Sequence, residues 1–146
     1  MKKQLEALLE GINDEIAILA NSTAFIYEYI EDVNWVGFYI NKNNKLILGP
    51  FQGRPACVYI DMGKGACGTS AVKQEVVILG DVRLVENYIA CHEETNSEIV
   101  IPIIINNKTY AVLDIDSLSK NRFDEKTKLL LLELSTVITN ELSKIQ

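Results

Sequence analysis

The sequence predicts an α+β fold in a single domain over residues 1–146: one antiparallel sheet, with the N- and C-terminal helices on one face and a ligand pocket on the other. Three observations carry this. Long stretches with apolar residues at helical spacing stand at the two chain ends. Two pairs of β-rich runs are each joined by asparagines, the sign of tight hairpins. The order helices, hairpin, irregular middle, hairpin, helix lacks the βαβ alternation of a parallel sheet. With 146 residues the chain has the length of one domain, which buries roughly 68–70% of its unfolded surface and needs no staples.

From the N-terminus, Leu5, Leu8, Leu9, Ile12, Ile16 and Leu19 share a helical stripe within residues 3–30. Asn21-Ser22 offers a break and a new N-cap before Ala24-Phe25-Ile26-Tyr27, so two consecutive helices are expected. After Val33 the pattern changes to strands, Asn34 to Ile40 and Lys45 to Leu48, joined through Asn41-Lys42-Asn43-Asn44. Gly49-Pro50 and Gly53-Arg54-Pro55 punctuate the next stretch, and Cys57 to Ile60 reads as a short strand. Gly63-Lys64-Gly65-Ala66-Cys67-Gly68 leads into a helix start at Thr69-Ser70-Ala71-Val72, and Val76 to Leu79 is a short apolar strand. Beyond the mixed residues 80–94, Glu98 to Ile105 and Lys108 to Ile115 form a second hairpin around Asn106-Asn107. Asp124 caps a last helix with Leu129, Leu130, Leu134, Val137, Ile138, Leu142 and Ile145 on one stripe. The terminal helices then cover one face of the sheet, while the irregular middle caps the other and encloses the pocket.

A formal charge of −6, with acids and bases interspersed, argues against nucleic acid or an anionic membrane as partner. A cationic or zwitterionic small ligand suits it better. The N-terminus has no uncharged apolar core of a signal peptide, and no run approaches the ~18 apolar residues of a membrane span. A cytoplasmic location is expected. Three cysteines without an export signal imply thiols that are reduced at rest, so any disulfide belongs to transient chemistry.

Cys57, Cys67 and Cys91 lack the paired spacing of a zinc site, and the chain has one histidine. Inert buried thiols are the ordinary alternative. These three, however, stand among glycines and polar residues, and Cys67 sits at a helix N-terminus, where the dipole favours a thiolate. Gly63, Gly65 and Gly68 spell G-x-G-x-x-G, but without the βαβ unit of a dinucleotide site they read as a tight turn whose N–H groups can face a small anion. Asp114 and Asp116 share one strand face, either solvated or lining a pocket. Glu98, ahead of Ile99-Val100-Ile101, has the same two readings. Trp35 and Tyr39 share a face opposite Val36, Phe38 and Ile40, as core aromatics do. His92 is expected to point away from Cys91 in extended backbone, in a structural role.

Together, Asn34-Trp35-Val36-Gly37-Phe38-Tyr39, Leu48-Gly49-Pro50-Phe51-Gln52-Gly53, Pro55-Ala56-Cys57, Gly63-Lys64-Gly65-Ala66-Cys67-Gly68-Thr69, Ile89-Ala90-Cys91 and Ser97-Glu98-Ile99-Val100-Ile101-Pro102 resemble the free methionine-(R)-sulfoxide reductases, a catalytic branch of the GAF-domain superfamily. The resemblance runs from about Asn34 through Asp124, with all three cysteine positions filled. It implies that Cys91 attacks the sulfoxide sulfur and becomes a sulfenic acid, which Cys67 or Cys57 resolves to a disulfide. It also implies recycling by thioredoxin, with no metal, flavin or nucleotide cofactor. Sulfoxide oxygen leaves only once protonated, and Glu98 is the candidate acid. Asp114 and Asp116 then hold the substrate ammonium, glycine-loop N–H groups its carboxylate, the Trp35 face its methyl group, and Tyr39 forms a hydrogen-bonding wall. The competing reading is a non-catalytic GAF module that binds a small molecule or senses oxidants. The lack of an output domain or linker after the last helix weighs against it. A homodimer through the apolar stripes of the terminal helices is a further expectation.

Overall fold

The computed structural model describes residues 1–146. Four helices, α1 (Lys2–Leu9), α2 (Glu15–Tyr29), α3 (Gly65–Lys73) and α4 (Glu125–Lys144), accompany six strands, β1 (Trp35–Lys42), β2 (Lys45–Gln52), β3 (Tyr59–Asp61), β4 (Val77–Leu79), β5 (Ser97–Ile105) and β6 (Lys108–Ser117). The strands form one sheet in the order β3-β2-β1-β6-β5-β4, every neighbour antiparallel. No helix is long and apolar enough to cross a membrane.

Strand alternation divides the sheet into two apolar layers. Val36, Phe38, Ile99, Ile101, Ile103, Leu113 and Ile115 face α1, α2 and α4, packing with Leu5, Leu9, Ile18, Leu19, Ile26, Leu131, Leu134, Ile138 and Leu142. The opposite face carries Trp35, Tyr39, Val100 and Val112, joined by Leu46, Ile60 and the α3 residues Ala66, Cys67 and Ala71. The expected placement of the terminal helices on one face and the middle segment on the other therefore holds.

Both hairpin turns follow from their asparagines. Asn43-Asn44 (φ 54° and 63°) and Asn106-Asn107 (φ 53° and 63°) occupy the left-handed backbone that two-residue turns of matching twist require. Other boundaries moved. The break between the first helices lies at Gly11 (φ 77°) and Asp14, whose Oδ1 caps α2 by accepting from the Ala17 N–H at 3.0 Å. Asn21-Ser22 is helix interior, because the Ser22 hydroxyl donates back to the Ile18 carbonyl at 2.7 Å and needs no cap. β2 runs past Gly49-Pro50 to Gln52: both residues lie in a bulge between the pairs Tyr39↔Leu48 and Gly37↔Phe51, where proline's missing N–H costs no ladder bond. α3 begins at Gly65, four residues before Thr69.

Gly37 marks the tightest spot on the pocket face. A Cβ there would collide with Trp35 Cη2 and come within 2.6 Å of Phe51 Cβ. Gly37→Ala is therefore expected to cost about 1–3 kcal/mol by overpacking, read as a lower denaturant midpoint with an unchanged m-value. An unaltered midpoint would show that the aromatic layer yields freely.

Candidate active site

The central strands fix the site through their register. Glu98 pairs with Asp116, Val100 with Asp114, Trp35 with Asp116 and Gly37 with Asp114, so three carboxyls from β5 and β6 stand on the same face as Trp35 and Tyr39. Each of the three residues is only 6% exposed. The solvated-face reading of Asp114 and Asp116 is thereby excluded. α3 adds Cys67, while Tyr88, Ile89, Cys91 and His92 complete the lining of a small pocket with a volume of about 20 Å³. Ile89 lies over Gly65, close enough that a Cβ on the glycine would meet it at 3.1 Å.

Cys91 is bonded to Cys57, with Cα atoms 5.5 Å apart, and Cys67 is free and buried. The structure holds this one pair in its oxidised form. The neighbourhood is tied down on both sides of the bond. Tyr39 donates its hydroxyl to the Cys57 carbonyl at 2.9 Å, Trp35 Nε1 donates to the Arg54 carbonyl at 3.0 Å, and Arg54 pairs with Glu94 at 2.9 Å. His92 corrects another expectation. Its Nε2 lies 3.0 Å from the Pro55 carbonyl and its Nδ1 4.0 Å from Asp116 Oδ2, so it lines the cavity with Cys91 rather than pointing away. The segment is irregular here, and the alternation assumed for an extended strand does not apply.

Burial dominates the electrostatics. It raises the carboxyls of Asp114, Asp116 and Glu98; the neighbouring charges of Asp116 and Glu98 push Asp114 further, and that of Glu98 pushes Asp116 further. Glu98 stays raised although contacts with Asp114 and Asp116 favour its ionised form. The Cys67 thiol is also raised, by burial first and then by Asp114, Glu98 and Asp116. The helix N-terminus therefore does not make it a thiolate: desolvation beside three carboxyls outweighs a dipole worth about 0.3–1 kcal/mol at an exposed helix end. Asp114 Oδ1 and Asp116 Oδ1 are buried with no hydrogen-bond partner. Cys67 Sγ and one carboxylate oxygen each of Glu98 and Asp114 lie within 4.8 Å of one another.

Of the expected site residues, Tyr39, Cys67, Cys91, Glu98, Asp114 and Asp116 line the cavity. Cys57 joins through its disulfide. Trp35 does not line it; the indole is 1% exposed and packs between Phe51 (5.3 Å) and Tyr39 (6.0 Å), with His92 6.1 Å away. The sequence assigns no site role to Tyr88 or to Ile89, although Ile89 stands in the Ile89-Ala90-Cys91 stretch; no periodic pattern surrounds them, and nearness to Cys91 is their signal.

The GAF domain family matches residues 4–142. Free methionine-R-sulfoxide reductase of Escherichia coli is 42% identical over 126 residues, which cover 86% of this chain and 76% of that protein. The reduced form of the Staphylococcus aureus fRMsr superposes with a TM-score of 0.93 at 43% identity, covering 97% of this chain and 92% of that one. The free methionine-R-sulfoxide reductase of Neisseria meningitidis, solved in complex with its substrate, gives 0.94 at 36% identity, covering 99% and 87%.

Asp114 binds its proton more tightly folded than unfolded. Its contribution to the stability of the ligand-free protein is full below the unfolded value of about 3.9 and is lost as pH rises through the folded value. Asp114→Asn lacks this loss. Thermal melts should show the variant gaining on the parent as pH rises from about 4 toward neutrality; a constant gap would mean that Asp114 is not desolvated.

Proposed function

The chain belongs to the GAF domain family, and on that premise we propose that it reduces free L-methionine-(R)-sulfoxide to methionine with its own thiols. One observation carries the reading: a small pocket holds two buried carboxylate oxygens without partners beside a cysteine already joined in a disulfide. Buried acceptors of this kind ask for a cationic donor. The ammonium group of a free amino acid supplies charge and three N–H bonds together. The first N–H groups of α3, at Gly65, Ala66 and Cys67, are available to its carboxylate.

In the proposed cycle the Cys91 thiolate attacks the sulfoxide sulfur. Glu98, kept protonated by burial, donates to the oxygen, the oxygen passes to Cys91 as a sulfenic acid, and methionine leaves reduced. Tyr39 and Tyr88, with Trp35 packed behind Tyr39, give the methyl group an aromatic wall. The Cys57 thiol then attacks the Cys91 sulfur; the sulfenic oxygen leaves as water and the disulfide forms. Cys57 is favoured as the resolving thiol because it is the observed partner, while the raised pKa of Cys67 leaves little thiolate to attack. An external dithiol, for which we take thioredoxin in the cytoplasm, reduces the bond by exchange; Val58 (48% exposed) and Ile89 (37%) flank it and suit such a visitor. A homodimer through the terminal helices fits the exposed groove that Leu8 and Tyr29 line.

Methionine sulfoxide with a thioredoxin system should consume NADPH continuously, whereas a module that only senses oxidants would stop after one equivalent. Cys91→Ser should release no methionine even in a single turnover. Cys57→Ser should release one methionine per chain and then stall, and Cys67→Ser should still be recycled by thioredoxin. A burst of methionine from Cys91→Ser would sink the assignment, and normal recycling by Cys57→Ser would move the resolving role elsewhere.

If Asp114 and Asp116 clamp the ammonium group, N-acetyl-methionine sulfoxide leaves buried carboxylates unpaired, at a cost of about 3–5 kcal/mol, so kcat/KM should fall at least about 100-fold. Equal rates on the blocked and free substrates would remove the clamp.

A further inference from the structure

The cavity's donor atoms also suit a ligand other than an amino acid. We propose that it binds a borderline-soft divalent cation of the zinc class in competition with the substrate, because Cys67 Sγ and one carboxylate oxygen each of Glu98 and Asp114, all three residues buried, converge within 4.8 Å in the same pocket. No pair of cysteines at metal-binding spacing announces this site in the sequence; three separate elements, α3, β5 and β6, assemble it.

A tetrahedral ion at about 2.3 Å from sulfur and 2.0–2.2 Å from oxygen separates its ligand atoms by roughly 3–4 Å. A contraction of about 1–2 Å therefore completes the set. A second observation points the same way. Asp116 is outside the three-donor group and 6% exposed, lines the same cavity, and leaves its Oδ1 without a partner. It can supply the fourth ligand directly or hold a metal-bound water. His92 Nδ1, 4.0 Å from Asp116 Oδ2, stands behind it as a further nitrogen donor. A thiolate with carboxylates suits zinc or cadmium, whereas magnesium and calcium prefer oxygen alone. On binding, the Cys67 thiol proton and any proton shared among the carboxyls pass to solvent. Both ligands need the partnerless oxygens of Asp114 and Asp116, so one excludes the other.

Metal binding itself does not depend on the reductase reading; the competition does, and the two fail separately. The test uses protein with the Cys57–Cys91 disulfide intact, so that Cys67 is its only thiol and added sulfoxide cannot be turned over. Cadmium titration should give a saturable ultraviolet thiolate-to-metal band at one equivalent. The band should vanish in Cys67→Ser. In Asp114→Asn it should persist at a dissociation constant raised at least about 10–100-fold, the scale already seen for losing an outer-shell partner. Free methionine sulfoxide should displace the metal and abolish the band. Absence of the band in the parent protein, or its survival in Cys67→Ser, would overturn the site; a band that methionine sulfoxide leaves untouched would overturn the competition. Circular-dichroism melts establish that each variant is folded, and Asp114→Asn provides the affinity test if Cys67→Ser does not fold.

Discussion

Three carboxyls share one desolvated patch at the middle of the sheet, and much of the molecule is arranged around that constraint. Glu98, Asp114 and Asp116 cannot all ionise beside one another in an apolar setting, so at least part of the cluster holds protons. The apolar layer beneath, facing α1, α2 and α4, keeps β5 and β6 in register. A slip of one residue would send the carboxyls into that layer and the isoleucines to the pocket. The aromatic pair Trp35 and Tyr39, on β1, forms one side of the same patch.

The thiols divide according to their surroundings. Cys57 and Cys91 are partly exposed and bonded to each other, within reach of a reductant, whereas Cys67 lies under the cavity among acids that hold its proton. One residue type thus occupies two environments: a rim where exchange can occur and an interior where a neutral thiol is favoured.

What was legible in the sequence follows from how local each cause is. The asparagine turns, the Asp124 cap and the alternation of β1 and β6 are set within a few residues, and they stand where expected. The helix break near Gly11 was misplaced because Ser22, a good cap by type, satisfies its hydroxyl within the helix. At the site, the shared face of Asp114 and Asp116 could be read from their spacing, but their burial could not. The pairing of Glu98 with Asp116 depends on strand order, and the turn of His92 toward Asp116 on irregular backbone; neither has a local signal. The proton-retaining state of Cys67 was masked by its helix position, because the opposing carboxyls come from strands more than thirty residues away in the chain.

The glycine triplet at Gly63, Gly65 and Gly68 shows how a familiar spelling can serve another end. Gly68 packs against the turn so closely that a Cβ would meet the Asp61 carbonyl and the Gly63 amide, while Gly63 N–H donates to the Gly68 carbonyl and Lys64 N–H to that of Asp61. Two amides of this turn are thus already engaged and do not face an anion. The donors left free begin at Gly65, a span suited to one carboxylate and too short for a pyrophosphate. A search for nucleotide-binding proteins by glycine spacing alone would therefore gather this chain as a false positive, and a count of unengaged backbone amides would set it aside.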